Sequence, residues 1–181
     1  MVKNIKLDLN NIPNFKNIAL CLGFFDGVHL GHQKLVNIAK KKSNCDVGIL
    51  SINKEFSNNL SSNEDRMRFF NSINIDLYLS IEFNLIKDLS PIEFIENILL
   101  PLGVKEIYIG EDFRFGKNRS GDISLLKEYF EVEIVPFELD KNIKISSTKL
   151  IELIKDGKVE EFNRLTNRNY EIKGTVVDGL K

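Results

Sequence analysis

Two spacings of apolar residues alternate along this chain. Short apolar runs bounded by turn residues read as buried strands at Asn17–Leu22, Asp46–Ile52, Ile75–Ile81, Val104–Ile109 and Glu131–Val135. Between them, apolar residues recur at helical spacing. That spacing predicts helices over 31–42, 64–72, from Pro91 onward, 123–130, through about Asp156, and 159–165. Leu35, Val36, Ile38 and Ala39 would face inward from the first helix, and Met67 and Phe70 from the second. Ser90 is placed to cap the third and Pro91 to open it, with Ile92, Ile95, Leu99 and Phe94 as its apolar face. Residues 1–16 are a polar lead-in whose Ile5 and Leu7 could pair at a sheet edge. Strands alternating with helices imply an α/β fold, a Rossmann-like parallel sheet with helices on both faces. Such sheets take ligands at the carboxyl ends of their strands.

The first strand runs straight into Gly23-Phe24-Phe25-Asp26-Gly27-Val28-His29-Leu30-Gly31-His32, and a helix follows. The glycines let backbone come close to a ligand. The free amides and positive end of the helix favour an anion. His29 and His32, three residues apart, can share one helix face and one anion. A histidine at a helix start can equally serve as a cap. A zinc site would need three or four ligands, and no His-x-x-x-His or Cys-x-x-Cys completes one beside Asp26 and Cys21. No metal site is therefore expected of the protein's own side chains, and phosphate is the expected ligand.

Two further stretches lie after strands. Gly110 to Asp122 follows the fourth and holds Phe113, Arg114, Phe115, Lys117 and Arg119 between glycines. Its cations suit phosphate and its rings suit a flat aromatic ligand, although phenylalanines in a loop can also simply pack into the core. Ile145-Ser146-Ser147-Thr148 follows the fifth strand, where hydroxyls can cap the next helix or bond a phosphate at the same amides.

Bulk properties narrow the classes. The chain has 181 residues, 43% hydrophobic and 28% charged, which suits one soluble globular domain. A net charge of −1 gives no field for nucleic acid or a membrane surface. Two cysteines make no disulfide framework, so a reduced, cytoplasmic setting is expected. No run approaches the length of a membrane span, and Met1–Asn11 lacks the apolar region of a signal peptide.

The residues from Gly23 to His32 resemble the first signature of the nucleotidylyltransferase superfamily. The form is that of bacterial bifunctional riboflavin kinase/FAD synthetases. Gly110 to Asp122 looks like the second signature of the FAD synthetases, and Ile145 to Thr148 like the superfamily's third. The resemblance runs from about Asn17 to Gly179 and implies an FMN adenylyltransferase, with ATP and FMN as substrates and Mg²⁺ accompanying the nucleotide. It implies that His29 and His32 carry catalysis. It implies ATP contacts from Gly23, Phe24, Phe25, Asp26, Gly31, Asp112, Ser147 and Thr148, and flavin-side contacts from Phe113, Arg114 and Phe115. Two alternatives stay open: a related nucleotidylyltransferase with another acceptor, and a domain that only binds nucleotide or flavin.

Three departures accompany the likeness. Ile151 stands where the third signature carries an arginine, so activity is expected to be weak unless a lysine such as Lys149 or Lys155 substitutes. Ser51 to Phe56 replaces a Phe-Asp-Pro-His-Pro-like segment. Residues 174–181 look like the opening strand of a riboflavin kinase barrel, so 1–165 is read as the adenylyltransferase domain and 166–181 as a linker with a truncated barrel start. One strand cannot close a barrel. Riboflavin kinase activity is thus expected to be absent from this chain, its kinase half being separate or missing.

Overall fold

Alternate residues of one strand face two different cores. In the computed structural model, which describes residues 3–54, 59–172 and 174, strand β2 (Ile18–Gly23) sends Ile18, Leu20 and Leu22 to one face of a sheet. It sends Ala19 and Cys21 to the other. A strand covered on both faces needs apolar residues at every position, which is why Ile18-Ala19-Leu20-Cys21-Leu22 has no polar member.

The sheet has six strands, all parallel: β1 (Lys3–Lys6), β2, β3 (Asp46–Asn53), β4 (Leu77–Glu82), β5 (Val104–Gly110) and β6 (Glu131–Val135). Their spatial order is β1-β4-β3-β2-β5-β6. The chain works outward from β2 through β3 to β4, then crosses back to lay β5 on the other side of β2. The direction of winding therefore reverses between β2 and β5, and a crevice opens at their carboxyl ends.

Helices α1 (Leu30–Lys42) and α2 (Asn63–Ser72) cover one face with Leu35, Val36, Ala39 and Phe70. The other face takes α4 (Pro91–Phe94), a wide π turn at Ile95–Leu99, and α5 (Ile123–Lys127). A one-turn α3 (Phe83–Ile86) precedes α4. The hairpin β7 (Leu139–Asp140) and β8 (Ile143–Lys144) leads into α6 (Ser147–Lys155) and α7 (Val159–Thr166), which enclose a third core around Leu150, Leu153 and Phe162.

Local expectation and structure differ in places. The lead-in forms β1, whose Ile5 pairs with Leu79 of β4, and Leu7 just beyond it is buried. Ile92 is solvent-facing rather than part of the apolar face of its helix. The π turn, closed by Leu100 N–H on the Ile95 carbonyl, takes an extra residue and brings Phe94, Ile95, Ile98 and Leu99 inward. The expected barrel-opening strand at 174–181 falls, apart from Gly174, outside the described residues, as do positions 55–56 of the 51–56 segment.

Candidate active site

The turn from β2 to α1 is built on strained backbone. Phe25, Gly27 and Val28 all have positive φ, at 52°, 73° and 39°. A β-branched residue such as Val28 is held there only by its surroundings. Val28 and Phe25 are fully buried beneath the turn. Asp26 accepts the backbone N–H groups of Leu60 and Ser61 and the Ser61 hydroxyl, at 3.0–3.1 Å. Arg66 of α2, also buried, donates to the Phe24 carbonyl at 3.2 Å and to Asn53 Oδ1 at 2.8 Å. From the other side, Ser147 Oγ donates to the Asp26 carbonyl at 2.8 Å.

This clamped turn presents the two histidines. His29 is the N-cap of α1, and its Nδ1 accepts the His32 backbone N–H at 3.4 Å. A Cβ on Gly31 would lie 3.1 Å from the His29 ring, so only glycine leaves that ring its space. His32 stacks on His29 and lies 5.1 Å from the Phe25 ring. Its Nδ1 is buried without a partner. Burial pushes the His29 pKa down to about 4, and the Lys144 ammonium adds to the effect. Loss of solvent holds His32 well below the usual histidine range too, helped by the charges of His29, Arg66 and Lys144. Both rings are neutral at pH 7. With Nδ1 of His29 accepting, its proton sits on Nε2, a donor for an incoming oxygen.

Two cavities meet at the crevice between β2 and β5. The smaller, about 280 Å³, is lined by His29, His32, Gly31, Lys144, Ser146 and Ser147 among others. The larger, about 470 Å³, is lined by Phe83, Phe115, Lys54, Arg114, Gly116 and Arg119 among others. Leu22, Gly23, Phe24, Asp112 and Phe113 line both. Phe113 and Phe115 stack at 6.0 Å, and Lys54 Nζ lies 4.3 Å from the centre of the Phe83 ring. Among the described residues no group of three or more His, Cys, Asp or Glu side chains could hold a metal ion.

Three of the residues expected to contact ATP line neither cavity. The Phe25 ring is core, fully buried beneath the turn. The Asp26 carboxylate is spent on the 60–61 loop. Thr148 is exposed and lines neither cavity. Phe115 borders the larger cavity, yet its ring packs on Phe94 in the core. Of the residues not singled out, Lys144 and Ser146 line the smaller cavity, Phe83 and Lys54 the larger, and Arg66 holds the turn between them. Lys149 and Lys155 line neither cavity. Lys144 directly precedes the third motif in sequence, but a two-residue strand has no periodicity to mark it.

A parallel α/β sheet with a histidine-lined cavity and an aromatic cavity at its switch point belongs to the doubly wound class, which takes its ligands at that place. A family model described as FAD synthetase matches residues 11–149. A bifunctional riboflavin kinase/FMN adenylyltransferase of Buchnera aphidicola subsp. Schizaphis graminum is 41% identical, over 96% of this chain and 63% of that protein. One from Listeria monocytogenes is 33% identical, over 91% and 58%. An FAD synthetase from the same organism is 29% identical, over 89% of this chain and 73% of its own length. A crystal structure described as a macrolide-efflux protein from Streptococcus pneumoniae superposes with a TM-score of 0.83 at 26% identity, over 94% of this chain and 72% of that one. Among the described residues no helix is long and apolar enough to cross a membrane. This chain belongs to the FAD synthetase family. It spans 63% and 58% of the first two relatives' lengths.

Proposed function

We propose that the protein is an FMN adenylyltransferase, joining the AMP portion of ATP to FMN to give FAD and pyrophosphate. The observation that carries this reading is the meeting of the two cavities. The histidine cavity suits a nucleotide's phosphates, the aromatic and cationic one a flavin phosphate, and they share the wall formed by Gly23, Phe24, Asp112 and Phe113. An FMN phosphate oxygen would bond to the α-phosphorus of ATP as the bond to the bridging oxygen breaks, with that electron pair leaving on pyrophosphate. The protein needs no nucleophile of its own, and its work is positioning and charge stabilisation.

The His29 Nε2–H would donate to a phosphate oxygen, with His32 stacked behind it. Ser146 and Ser147, at the start of α6, line the same cavity, and Gly31 and Gly23 let oxygens approach backbone. Phe113 and Phe24 would stand between the two substrates, with Arg114 on the flavin side. Mg²⁺ fits as an ion carried in by the phosphates, with Asp112, which lines both cavities, as the carboxylate to meet it; when bound it would neutralise phosphate charge. Residues 1–165 form the adenylyltransferase domain in this reading, followed by a lead towards the riboflavin kinase half that the relatives' names include. A reduced cytoplasmic setting accords with both cysteines being free.

Ile151 favours a second reading, a domain that binds nucleotide or flavin without turnover. Chromatography of the purified protein with ATP, FMN and Mg²⁺ separates the two. FAD from the parent and none from His32→Ala supports the enzyme. Binding of ATP or FMN with no FAD overturns it.

A further inference from the structure

Four carbonyls of the turn between β2 and α1 are held by side chains from four different places. Arg66 of α2 takes that of Phe24, and Ser147 of α6 takes that of Asp26. Arg168, just past α7, donates from Nη2 to the Gly27 carbonyl at 2.9 Å. Gln33 of α1 donates from Nε2 to the Val28 carbonyl at 3.0 Å and to the Thr166 carbonyl at 2.7 Å. Thr166 ends α7 and is fully buried. Both hydrogens of the Gln33 amide are thus used, and they staple the start of α1 to the end of α7. Arg168 is itself fixed there. Its N–H donates to the Asn163 carbonyl at 3.2 Å, and its carbonyl accepts the Thr166 hydroxyl at 3.2 Å. Its guanidinium carbon lies 5.7 Å from the centre of the Phe69 ring of α2. Its Nε is buried without a partner. An orphaned donor of that kind costs stability, so stability alone explains this arginine poorly.

We infer that Arg168 is a positioning residue for the reaction, setting the His29–His32 pair through the backbone of Gly27 and Val28, with Gln33 as its partner. The inference rests on the adenylyl-transfer reading given above. Arg168 lines neither cavity of the crevice, so it meets no substrate there and acts through backbone alone. Gly27 and Val28 directly precede His29, and their φ values of 73° and 39° are strained. A strained peptide whose carbonyl is released can turn over, and His29 would turn with it. A guanidinium is the strongest donor a neutral carbonyl can be given, and it holds that of Gly27. Gln33 holds the next one. His29 has little room to shift, with Gly31 beneath its ring, and His32 must follow because the two rings stack. Arg168 stands 141 residues from the glycine whose carbonyl it takes, so no motif around the turn reveals it.

The test joins steady-state FAD formation to an NMR titration of the ring C–H signals of His29 and His32, the two histidines of the chain. Melting curves of every variant set a temperature at which each is folded. In the parent, burial under the clamped turn holds His29 at about 4 and His32 well below the usual range. Arg168→Met keeps the apolar stem and removes the donor. It is expected to lower kcat by roughly ten- to a hundredfold, with the KM for ATP within a few-fold of the parent. The His29 midpoint should rise from about 4 towards 6.5 as water reaches the ring. Gln33→Met should move the same signals in the same direction, reading the staple from its other end. Arg68→Met, which removes only exposed pairs with Asp65 and Glu171, should leave kcat and both signals as in the parent. If Arg168→Met and Gln33→Met titrate as the parent does while the parent makes FAD, this inference is wrong and the functional reading stands. If the signals move but the parent makes no FAD, the positioning stands and the functional reading falls. A lower kcat with unmoved signals, or an equal shift in Arg68→Met, would make the effect a general loosening and overturn the inference.

Discussion

The imidazole of His29 lies over that of His32, with ring centroids 3.8 Å apart and 18° between their planes. Two cations cannot share that geometry away from water. One protonation opposes the other, Lys144 opposes both, and Arg66 opposes that of His32. The pair is therefore a neutral donor platform.

Acid should destabilise the protein in a defined window. The folded His29 pKa is about 4 against 6.5 unfolded, so between these values the unfolded chain binds the extra proton. Stability is full above pH 6.5 and falls as pH drops towards 4, by about 3 kcal/mol for His29, with His32 adding in the same direction. Urea midpoints measured from pH 7 to pH 4 check this. His29→Asn, which keeps a capping side chain, should flatten the profile.

The same variant probes catalysis. Asparagine can still start α1, so a slower reaction would reflect the missing ring donor and not a lost helix. Both His29→Asn and His32→Ala are expected to lower kcat by roughly 10²–10³. The KM for ATP should stay within a few-fold, the mark of an interaction made mainly in the transition state. Steady-state FAD formation gives both constants.

Arg66 should matter to both substrates without touching either. It holds the carbonyl of Phe24, which lines both cavities, and ties it to Asn53 at the end of β3. Arg66→Met leaves two acceptors unpaired and should cost about 2 kcal/mol. The urea midpoint should fall with an unchanged slope, and the KM values for ATP and FMN should rise together.

Gly116 and Gly157 have nearly the same φ, 70° and 71°, in different surroundings. At Gly116 ψ is 178°, a region close to glycine-only. A Cβ there would also lie 2.7 Å from the Pro91 backbone nitrogen. At Gly157 nothing lies within 4 Å. Gly116→Ala should cost about 3 kcal/mol and lower the melting temperature by roughly 6–12 °C, while Gly157→Ala should cost about 1 kcal/mol. Thermal melts of the two variants compare crowding with strain alone.

Much of this was legible in the chain. The unbroken apolar run of β2 announces a strand covered on both faces. Ser90-Pro91 announces a helix start, which the structure completes as a capping box with Glu93. His29 and His32 stand out because a glycine turn joins a strand to a helix around them. Phe25 and Asp26 show where motif reading stops. They sit in the same turn, but one ring is buried under it and one carboxylate is used up by the 60–61 loop. No local pattern distinguishes a side chain that faces a ligand from one that holds the turn.

The sequence by itself determined strands β2 to β6, most helices, the parallel class and the turn that carries the histidines. These follow from periodicity and local chemistry acting over a few residues. Tertiary structure alone decided that β5 lies beside β2, which opens the crevice and joins the two cavities. It alone decided that Lys144 reaches the histidines from a two-residue strand, and that the π turn at Ile95–Leu99 leaves Ile92 in solvent. Strand order and cavity walls depend on pairings between segments far apart in the chain. Those pairings are chosen by the burial of whole faces, which no short window of sequence contains.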